Sequence, residues 1–291
     1  MMEYLLHILI LTCIYGVLAM ALDIVVGHAG LLSMTQAAFF GIGAYASALL
    51  TTVAGVPWPV GLGIGMVLSS LMACAIALPS LRVHDDYFVV ATLGFQMVAY
   101  SLLNNWIGLT QGPFGVAGIP PLTVGGYPMR SAWMFALVAL VFCGISWFVV
   151  ARVGRSPFGR VLRAIREDEI LVLALGKDTL YFKVTAFVVS GALAAAAGTL
   201  YAHYTTYVDP SSFTIMESIL IASMVIIGGA GSPWGPILGA VVLVTIPEGL
   251  RFLGLPVGMA GHIRQVVYGS TLVLVMVARP RGIIGRYSFG R

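Results

Sequence analysis

The residues best suited to chemistry lie in one charged run between positions 155 and 183. This run contains arginines at three-residue intervals and consecutive acids directly after them. These side chains are Arg160, Arg163, Arg166, Glu167, Asp168 and Glu169. Three-residue spacing brings side chains close to one face of a helix. The run therefore predicts a helix with a basic stripe and an acidic end, a pattern that suits a groove in a protein partner.

The ends of this helix are also marked in the sequence. Ser156 can cap the first turn, Pro157 fits the first helical position, and Gly176 marks a stop. Apolar residues recur between them at helical spacing: Val161, Leu162, Ile165, Ile170, Leu173 and Ala174. The segment predicts one amphipathic helix or two short ones. The alternative is a helix lying on anionic lipid, which adjacent acids oppose because a negative leaflet repels them.

The sequence lacks the motifs of common catalytic and nucleotide-binding sites. GxxxxGK(S/T), HExxH and GxSxG do not occur, and no Ser/His/Asp set falls at one membrane depth. Cys13, Cys74 and Cys143 lie inside apolar runs without CxxC spacing. We therefore predict a protein that is not an enzyme, with no metal site and no cofactor bound by this chain.

The composition places most of the surface of the chain in contact with lipid. Of 291 residues, 59% are hydrophobic and 9% are charged, and the mean hydropathy is +1.00. A soluble domain carries roughly 25% charged residues, so this chain has too few polar groups for a water-facing surface. The net charge of +4 does not indicate nucleic-acid binding, because the basic residues lie between apolar segments and set their orientation.

Apolar runs of about 20 residues, enough to cross a bilayer, recur along the whole sequence. They lie near 4–26, 31–53, 58–79, 87–106, 132–151, 181–204, 214–229, 235–251 and 263–279. We predict an all-α membrane helical bundle of about nine spans, forming a single transmembrane domain over 1–291. The seventh and eighth spans are short because glycine and proline interrupt them.

Basic residues orient these spans. They cluster after the fifth span, after the last span and, as Arg82, between the third and fourth. With about nine crossings these segments face one side, which the positive-inside rule makes cytoplasmic. The exceptions are Arg130, Arg251 and Arg264. The pattern predicts a multi-pass membrane protein with its N-terminus outside and its C-terminus in the cytoplasm.

Glycines and polar residues at 27–45 predict a broken or re-entrant helix. Backbone groups freed by a break must be satisfied by protein or by a water-lined cavity, so nearby polar residues are candidates for a translocation pathway. The fourth span contributes further pathway candidates if its polar stripe faces the interior of the bundle. The candidates are Ser33, Thr35, Gln36, Tyr45, Thr92, Gln96 and Asn104. The alternative is close helix packing through small residues, which we also predict for 191–202.

Charged residues on the predicted outer side are candidates for partner contacts. Glu217 and Glu248 lie near the outer ends of the seventh and eighth spans, and Arg130 ends the Gly/Pro-rich loop 107–130. We predict that they contact a partner or form an outer gate, while the loop caps the pathway or meets a partner. The alternative is that both acids face the membrane interface and pair with basic residues there.

Several stretches of the sequence resemble one transporter family, in the same order. They are VVGHAGLLSMTQAAFFGIGAYASALL (25–50), DYFVVATLGF (86–95), LLNNWIGLTQGPFGVAGIP (102–120), GRVLRAIREDEILVLALG (159–176), KVTAFVVSGALAAAAGTLYAHYTTYVDPSSFT (183–214), SILIASMVIIGGAGSPWGPILGA (218–240) and PRGIIG (280–285). Together they cover most of the chain. They resemble the branched-chain amino-acid ABC permeases, specifically the M-type subunit.

The resemblance implies a binding-protein-dependent importer that moves branched-chain or related amino acids by ATP-driven alternating access. It implies a second permease subunit, usually a different one, two cytoplasmic ATPases that hold ATP and Mg, and a periplasmic substrate-binding protein. It also makes 157–176 the coupling helix on which an ATPase docks. The docking contacts are then Arg160, Arg163, Ala164, Arg166, Glu167, Asp168 and Gly176.

The sequence departs from this family's pattern at Asp23, where Asn is frequent, and at Val83–Asp85, where small residues are frequent. These departures leave the substrate open, and urea or short-chain amides are the alternative. An ion-coupled secondary transporter would need an acid or histidine at mid-membrane, whereas the acids here cluster at span ends. An intramembrane enzyme would need paired catalytic groups at one depth, which the sequence does not offer.

Overall fold

The computed structural model describes residues 2–81, 85–124, 127–129, 131–251, 269–270, 273 and 282–284. Within these residues the chain is mostly α-helical. The helices are α1 (Met2–Asp23), α2 (Gln36–Thr52), α3 (Trp58–Ser80), α4 (Asp85–Asn105), α5 (Ile107–Thr110), α6 (Ala132–Arg155), α7 (Pro157–Glu167), α8 (Glu169–Ala174), α9 (Thr179–Thr205), α10 (Ile215–Gly228) and α11 (Gly235–Arg251). The predicted helical fold class is confirmed at this level.

The remaining regular elements are short. A π-helical turn, Ile24–His28, continues α1, and 3-10 turns occur at Gly112–Phe114 and Pro210–Phe213. The described strands are β1 (Val116–Ala117), β2 (Thr123–Val124), β3 (Tyr127–Pro128) and β4 (Tyr207–Val208). β1 pairs antiparallel with β4, and β2 pairs antiparallel with β3.

Five helical segments in the described residues are long and apolar enough to cross a membrane. They are Met2–His28, Trp58–Ser80, Tyr87–Asn105, Ala132–Arg155 and Thr179–Thr205. These segments match the first, third, fourth, fifth and sixth predicted spans. The second, seventh and eighth correspond to the shorter helices α2, α10 and α11. The ninth lies almost entirely outside the described residues, so the predicted count of about nine is not confirmed.

α1 lies at the centre of the bundle. It contacts α6, α9, α10 and α11, and the chain from Gly16 to Ala29 is buried throughout. A helix that is apolar on every side is stable only when other helices surround it or lipid does, and here helices surround it. By contrast, α3, α4 and α6 expose large apolar side chains along their length, a surface for lipid or for a partner in the membrane.

α2 packs tightly against α9 through small residues. A Cβ at Gly43 would lie 2.2 Å from the carbonyl oxygen of Ala195, and one at Gly198 would lie 2.1 Å from that of Phe40. No side chain fits at such distances, so glycine is what allows the two backbones to touch. The close packing predicted for 191–202 is confirmed.

α10 and α11 form a second glycine-mediated pair, joined by the turn 229–234. A Cβ at Gly239 would lie 1.8 Å from the Met224 carbonyl oxygen. The 14 residues of α10 rise about 21 Å, less than the roughly 30 Å of a hydrocarbon core. The segment 282–284 donates backbone hydrogen bonds of 2.9 and 3.0 Å to carbonyls in the last turn of α10, and so completes this end of the bundle.

Within the Gly/Pro-rich segment 107–130, residues 116–120 fold against the end of α9 and its connection to α10. Besides the β1–β4 pair, Ile119 donates a backbone hydrogen bond of 3.2 Å to the carbonyl of Thr206. His203 Nδ1 donates to the Pro120 carbonyl at 2.7 Å. The segment is therefore fixed to the end of the bundle from which α4 emerges, although its sequence has no helical period.

Candidate coupling segment and membrane break

The charged run forms two short helices, α7 and α8. Ser156 Oγ accepts a hydrogen bond from the Gly159 N–H at 3.1 Å and caps α7. The backbone becomes extended at Asp168, whose Oδ1 accepts from the Leu171 N–H at 3.0 Å and caps α8. Gly176 follows with a φ of +74°, which favours glycine. The predicted start and stop are confirmed, with two helices between them.

α7 packs one face against the rest of the chain. Gly159, Leu162 and Ile165 are buried on this face. Gly159 sits so close to the end of α6 that a Cβ there would lie 2.2 Å from the Val153 carbonyl oxygen. Because this contact leaves no room for a side chain, α7 follows α6 in a fixed orientation.

The arginines of α7 have different surroundings. Arg160 is exposed, whereas Arg163 Nη1 donates to the Gly154 carbonyl at 2.9 Å. Arg166 Nη1 donates to the carbonyl of Gly27. Of the other predicted docking residues, those exposed are Ala164, Glu167, Asp168 and Gly176. Arg163 and Arg166 thus hold α7 to the chain's own helices, and docking of an ATPase on these residues stays a prediction.

α8 turns apolar side chains outward. The exposed fractions of Ile170, Leu171, Leu173 and Leu175 are 79%, 59%, 52% and 72%. The helical spacing of Leu162, Ile170 and Leu173 in the sequence predicted one amphipathic helix or two short ones, and the structure has two. The extended backbone at Asp168 ends α7 and restarts the chain as α8, so the helical spacing does not run through it.

A salt bridge fixes α8 against α9. Lys183 Nζ lies 2.7 Å from Glu169 Oε2, and the two side chains are 4% and 33% exposed. A buried ammonium group is stable only beside such a partner. The pair therefore holds α8 in one orientation, with its exposed apolar side chains directed away from the bundle.

The predicted helix break lies between α1 and α2. Helix α1 ends in its π-helical turn, Gly30 has a φ of +76°, and residues 30–35 are not helical before α2 begins at Gln36. The first N–H groups of any helix have no partner within that helix. Inside a membrane protein they need partners from elsewhere in the fold.

Side chains from α4 and α10 supply those partners. Ala37 N–H donates to Ser218 Oγ at 3.0 Å, and Ala38 N–H donates to Gln96 Oε1 at 2.7 Å. The Gln96 amide donates in turn to the Phe213 carbonyl at 2.8 Å. Sequence reasoning missed Ser218, although a polar residue inside an apolar span is the pattern that indicates such a role.

The predicted pathway residues nearest the break are all buried. They are Ser33, Thr35, Gln36, Thr92 and Gln96. Ser33 Oγ lies 2.9 Å from Thr35 Oγ1, and Thr92 Oγ1 accepts from the Met34 N–H at 3.3 Å. The structure therefore brings these residues together and bonds several of them to the backbone of the break, while their contact with substrate stays a prediction.

Two further pathway candidates lie outside this cluster. Tyr45 is buried farther along α2 and packs against Phe213, with ring centroids 6.0 Å apart. Asn104 is half-buried in the last turn of α4. Neither bonds to the backbone of the break in the contacts described.

The predicted partner-contact residues are described only in part. Glu217 is half-buried in the first turn of α10 and accepts a hydrogen bond from the Tyr15 hydroxyl of α1. The Glu248 side chain and Arg130 lie outside the described residues. The role of all three in binding a partner stays a prediction.

Asp23, the departure noted in the sequence, is fully buried at the end of α1. Its Oδ1 accepts a hydrogen bond from the Gly231 N–H at 2.8 Å, and its Oδ2 lies 3.8 Å from His28 Nδ1. The bond to Gly231 joins residues 208 positions apart, so no local pattern in the sequence could have predicted it.

The sequence of this chain matches a known protein family. The family described as "Branched-chain amino acid transport system / permease component" matches residues 4–276. The permease protein LivM of the high-affinity branched-chain amino acid transport system of Escherichia coli (strain K12) is 35% identical, covering 94% of this chain and 68% of its own length.

Two other relatives cover nearly as much of the chain. A probable branched-chain amino acid transport permease protein LivM from Methanocaldococcus jannaschii is 26% identical, with coverage of 91% of this chain and 84% of its own length. The permease protein LivH from Salmonella typhimurium is 25% identical, with coverage of 94% and 91%. Because the family match spans most of the sequence, the chain belongs to the branched-chain amino-acid ABC transporter permeases.

Proposed function

We propose that this chain is one of two permease subunits of an importer that moves branched-chain or related amino acids into the cytoplasm. Membership of the family supports the substrate class. Similarity to both LivM and LivH, two permease proteins of such systems, supports a second, different permease as the partner. In this proposal two ATPases bind ATP and Mg and hydrolyse the ATP, and a periplasmic binding protein delivers the substrate.

The same proposal orients the chain in a bacterial inner membrane. Exposed arginines surround the end of α6 and the start of α7: Arg152, Arg155 and Arg160. The positive-inside rule makes this end cytoplasmic. α1 runs from the opposite end towards α7, because its last turn accepts the hydrogen bond from Arg166. The N-terminus is then on the outer side.

The outward apolar face of α8 is the observation that carries the docking assignment. Large apolar side chains exposed beside charged groups mark a protein contact more often than a water-facing surface. Burial in the membrane is disfavoured because Glu167 and Asp168 are exposed at the junction of α7 and α8, and anionic lipid repels them. We assign α7 and α8 together as the surface on which an ATPase docks.

The proposed mechanism is alternating access. Closure of the ATPase dimer on ATP displaces α7 and α8, and the bundle reorients around the break between α1 and α2. The pathway then opens alternately to the cytoplasm and to the binding protein, whose contacts we place near Glu217, Glu248 and Arg130. The buried polar residues around the break are the proposed lining of the pathway.

Replacement of the apolar face of α8 tests this assignment. The double variant Ile170→Glu and Leu173→Glu should lower ATPase co-purification about tenfold or more, because a few buried apolar side chains dominate most protein interfaces. The matched control is Ile170→Leu, which keeps the surface apolar. Co-purification is measured on the complex expressed from all its subunits, together with ATP hydrolysis.

Two outcomes would contradict the proposal at different levels. Undiminished co-purification and ATP hydrolysis in the double variant would show that α8 is not the docking surface. Uptake of radiolabelled leucine into proteoliposomes that persists without ATP and collapses with the ion gradient would instead favour a secondary transporter.

A further inference from the structure

The buried end of Arg166 connects α7 to the centre of the bundle. Its Nη1 donates to the Gly27 carbonyl, 139 positions away in sequence. Its Nη2 donates to Glu167 Oε1 at 2.8 Å, and the two side chains are 10% and 66% exposed. Arg166 therefore extends from the exposed surface of α7 to the buried last turn of α1.

The end of α1 is built to accept this side chain. Carbonyls in the last turn of a helix lack partners within the helix, and a cation is favourable at that end. The helical bonding ends in this turn, where Leu31 N–H donates to the Val25 carbonyl, six residues back, at 3.1 Å. Gly30 provides space, since a Cβ there would lie 2.5 Å from Arg166 Cγ.

A second bond continues from the same turn to the connection between α10 and α11. Asp23 Oδ1 accepts from the Gly231 N–H at 2.8 Å. Gly27 lies between the two bonds, since a Cβ there would be 2.1 Å from Asp23 Oδ1 and 2.4 Å from the Gly231 nitrogen. The turn around Gly231 also adjoins the α10 carbonyls that bind segment 282–284.

These contacts form a continuous path from α7 through the end of α1 to the 229–234 turn. We propose that Arg166 and Asp23 are positioning residues that transmit displacement of α7 to the helix break and to the α10–α11 pair. The proposal rests on the docking function of α7 and α8. Donor and acceptor no longer form a hydrogen bond beyond about 3.5 Å, so a shift of α7 by about one ångström would release the end of α1.

Arg163 shows why this role is specific to Arg166. Arg163 bonds to the Gly154 carbonyl in α6, the helix to which α7 is already joined in sequence. Its bond reinforces a local junction. The bond from Arg166 instead reaches the helix that precedes the break, and so, unlike the bond from Arg163, it can couple the two regions.

The test uses the full complex of both permeases, both ATPases and the binding protein in proteoliposomes. Arg166→Leu removes the donor, and Arg155→Gln removes an exposed positive charge at the same end as a matched control. Radiolabelled leucine is the transport probe, and leucine imported per ATP hydrolysed is the readout. Arg166→Leu should lower this ratio about two- to thirty-fold, the range typical of mutations on a coupling route, while the ATPases still co-purify.

Asp23 provides an independent pair of variants that leaves α7 untouched. Asp23→Asn keeps an acceptor for Gly231 and should keep the ratio, whereas Asp23→Leu should lower it as Arg166→Leu does. Arg166→Lys should restore part of the ratio, because it again places a donor near Gly27. The Asp23 pair decides the question if Arg166→Leu does not yield a folded complex.

The outcomes separate this inference from the proposed function. An unchanged ratio in Arg166→Leu, or equal ratios in Asp23→Leu and Asp23→Asn, overturns the inference. Loss of ATPase co-purification in Arg166→Leu overturns it as well, by making Arg166 a docking residue. Failure of the proposed function shows differently, as leucine uptake by the wild-type complex that does not require ATP.

Discussion

The glycines in the two halves of residues 27–45 have different structural roles. Gly27 and Gly30 lie at the break, where Gly30 takes a φ of +76°. Gly41 and Gly43 lie inside α2, where a Cβ at Gly43 would be 2.2 Å from the Ala195 carbonyl oxygen. Gly30 shapes the backbone of the break, and Gly43 lets α2 and α9 touch. The run therefore contains both a helix break and close helix packing, in different parts, while the predicted pathway at the break stays a prediction.

The two regions also differ in what else they need. Close packing of α2 on α9 needs only small residues, and α9 supplies them in one short stretch of sequence. The break needs polar side chains, and they come from α4 and α10, as Gln96 and Ser218 show. A break in a membrane helix is thus stabilised by distant residues, whereas tight packing is encoded locally on each helix.

The largest loss of stability should come from adding a side chain at the close contact between α2 and α9. Gly43→Ala should destabilise the protein by about 3 kcal/mol, because the added Cβ meets backbone that cannot move aside. The matched control is Gly63→Ala in α3, where a Cβ would find nothing within 4 Å. Thermal unfolding of the detergent-purified chain measures both. Equal melting temperatures for the two variants would refute the requirement for glycine at this contact.

A smaller loss of stability should come from removing a side chain that bonds to the backbone at the break between α1 and α2. Gln96→Leu should cost about 1–3 kcal/mol, because the Phe213 carbonyl loses its donor and Ala38 N–H loses an acceptor. The control is Asn105→Leu, since Asn105 donates to the carbonyl of Ser101 in its own exposed turn. Thermal unfolding again provides the comparison. Wild-type stability with loss of transport would instead make Gln96 a pathway residue.

Local sequence patterns predicted the features that depend on local contacts. Ser156 and Gly176 bound the charged segment where expected, because caps and stops act within a turn of the helix. The small residues of 191–202 likewise predicted close packing. These predictions hold because the physical cause lies within a few residues of the pattern.

The features that sequence missed depend on contacts that form only when the helices pack together. The outward face of α8 depends on the extended backbone at Asp168 and on the anchor between Glu169 and Lys183. The bond from Asp23 to Gly231 spans 208 positions. Asp23 stands out as a departure from the family pattern and the charged run by the spacing of its charges, but the partners of these residues are set only when the bundle is assembled.

The smallest expected effect is a difference in the stability lost when alanine replaces two glycines that share a backbone conformation. Gly30 and Gly55 have φ values of +76° and +62°, so alanine at either site pays about 1–2 kcal/mol for the left-handed conformation. A Cβ at Gly55 meets nothing within 4 Å, whereas one at Gly30 lies 2.5 Å from Arg166 Cγ. Gly30→Ala should therefore cost about 1 kcal/mol more than Gly55→Ala. Both variants are also compared by thermal unfolding in an Arg166→Ala background, which removes Cγ and the rest of the Arg166 stem. The difference in stability between them should shrink there if this stem crowds Gly30, and an unchanged difference would show that another contact at the break demands glycine.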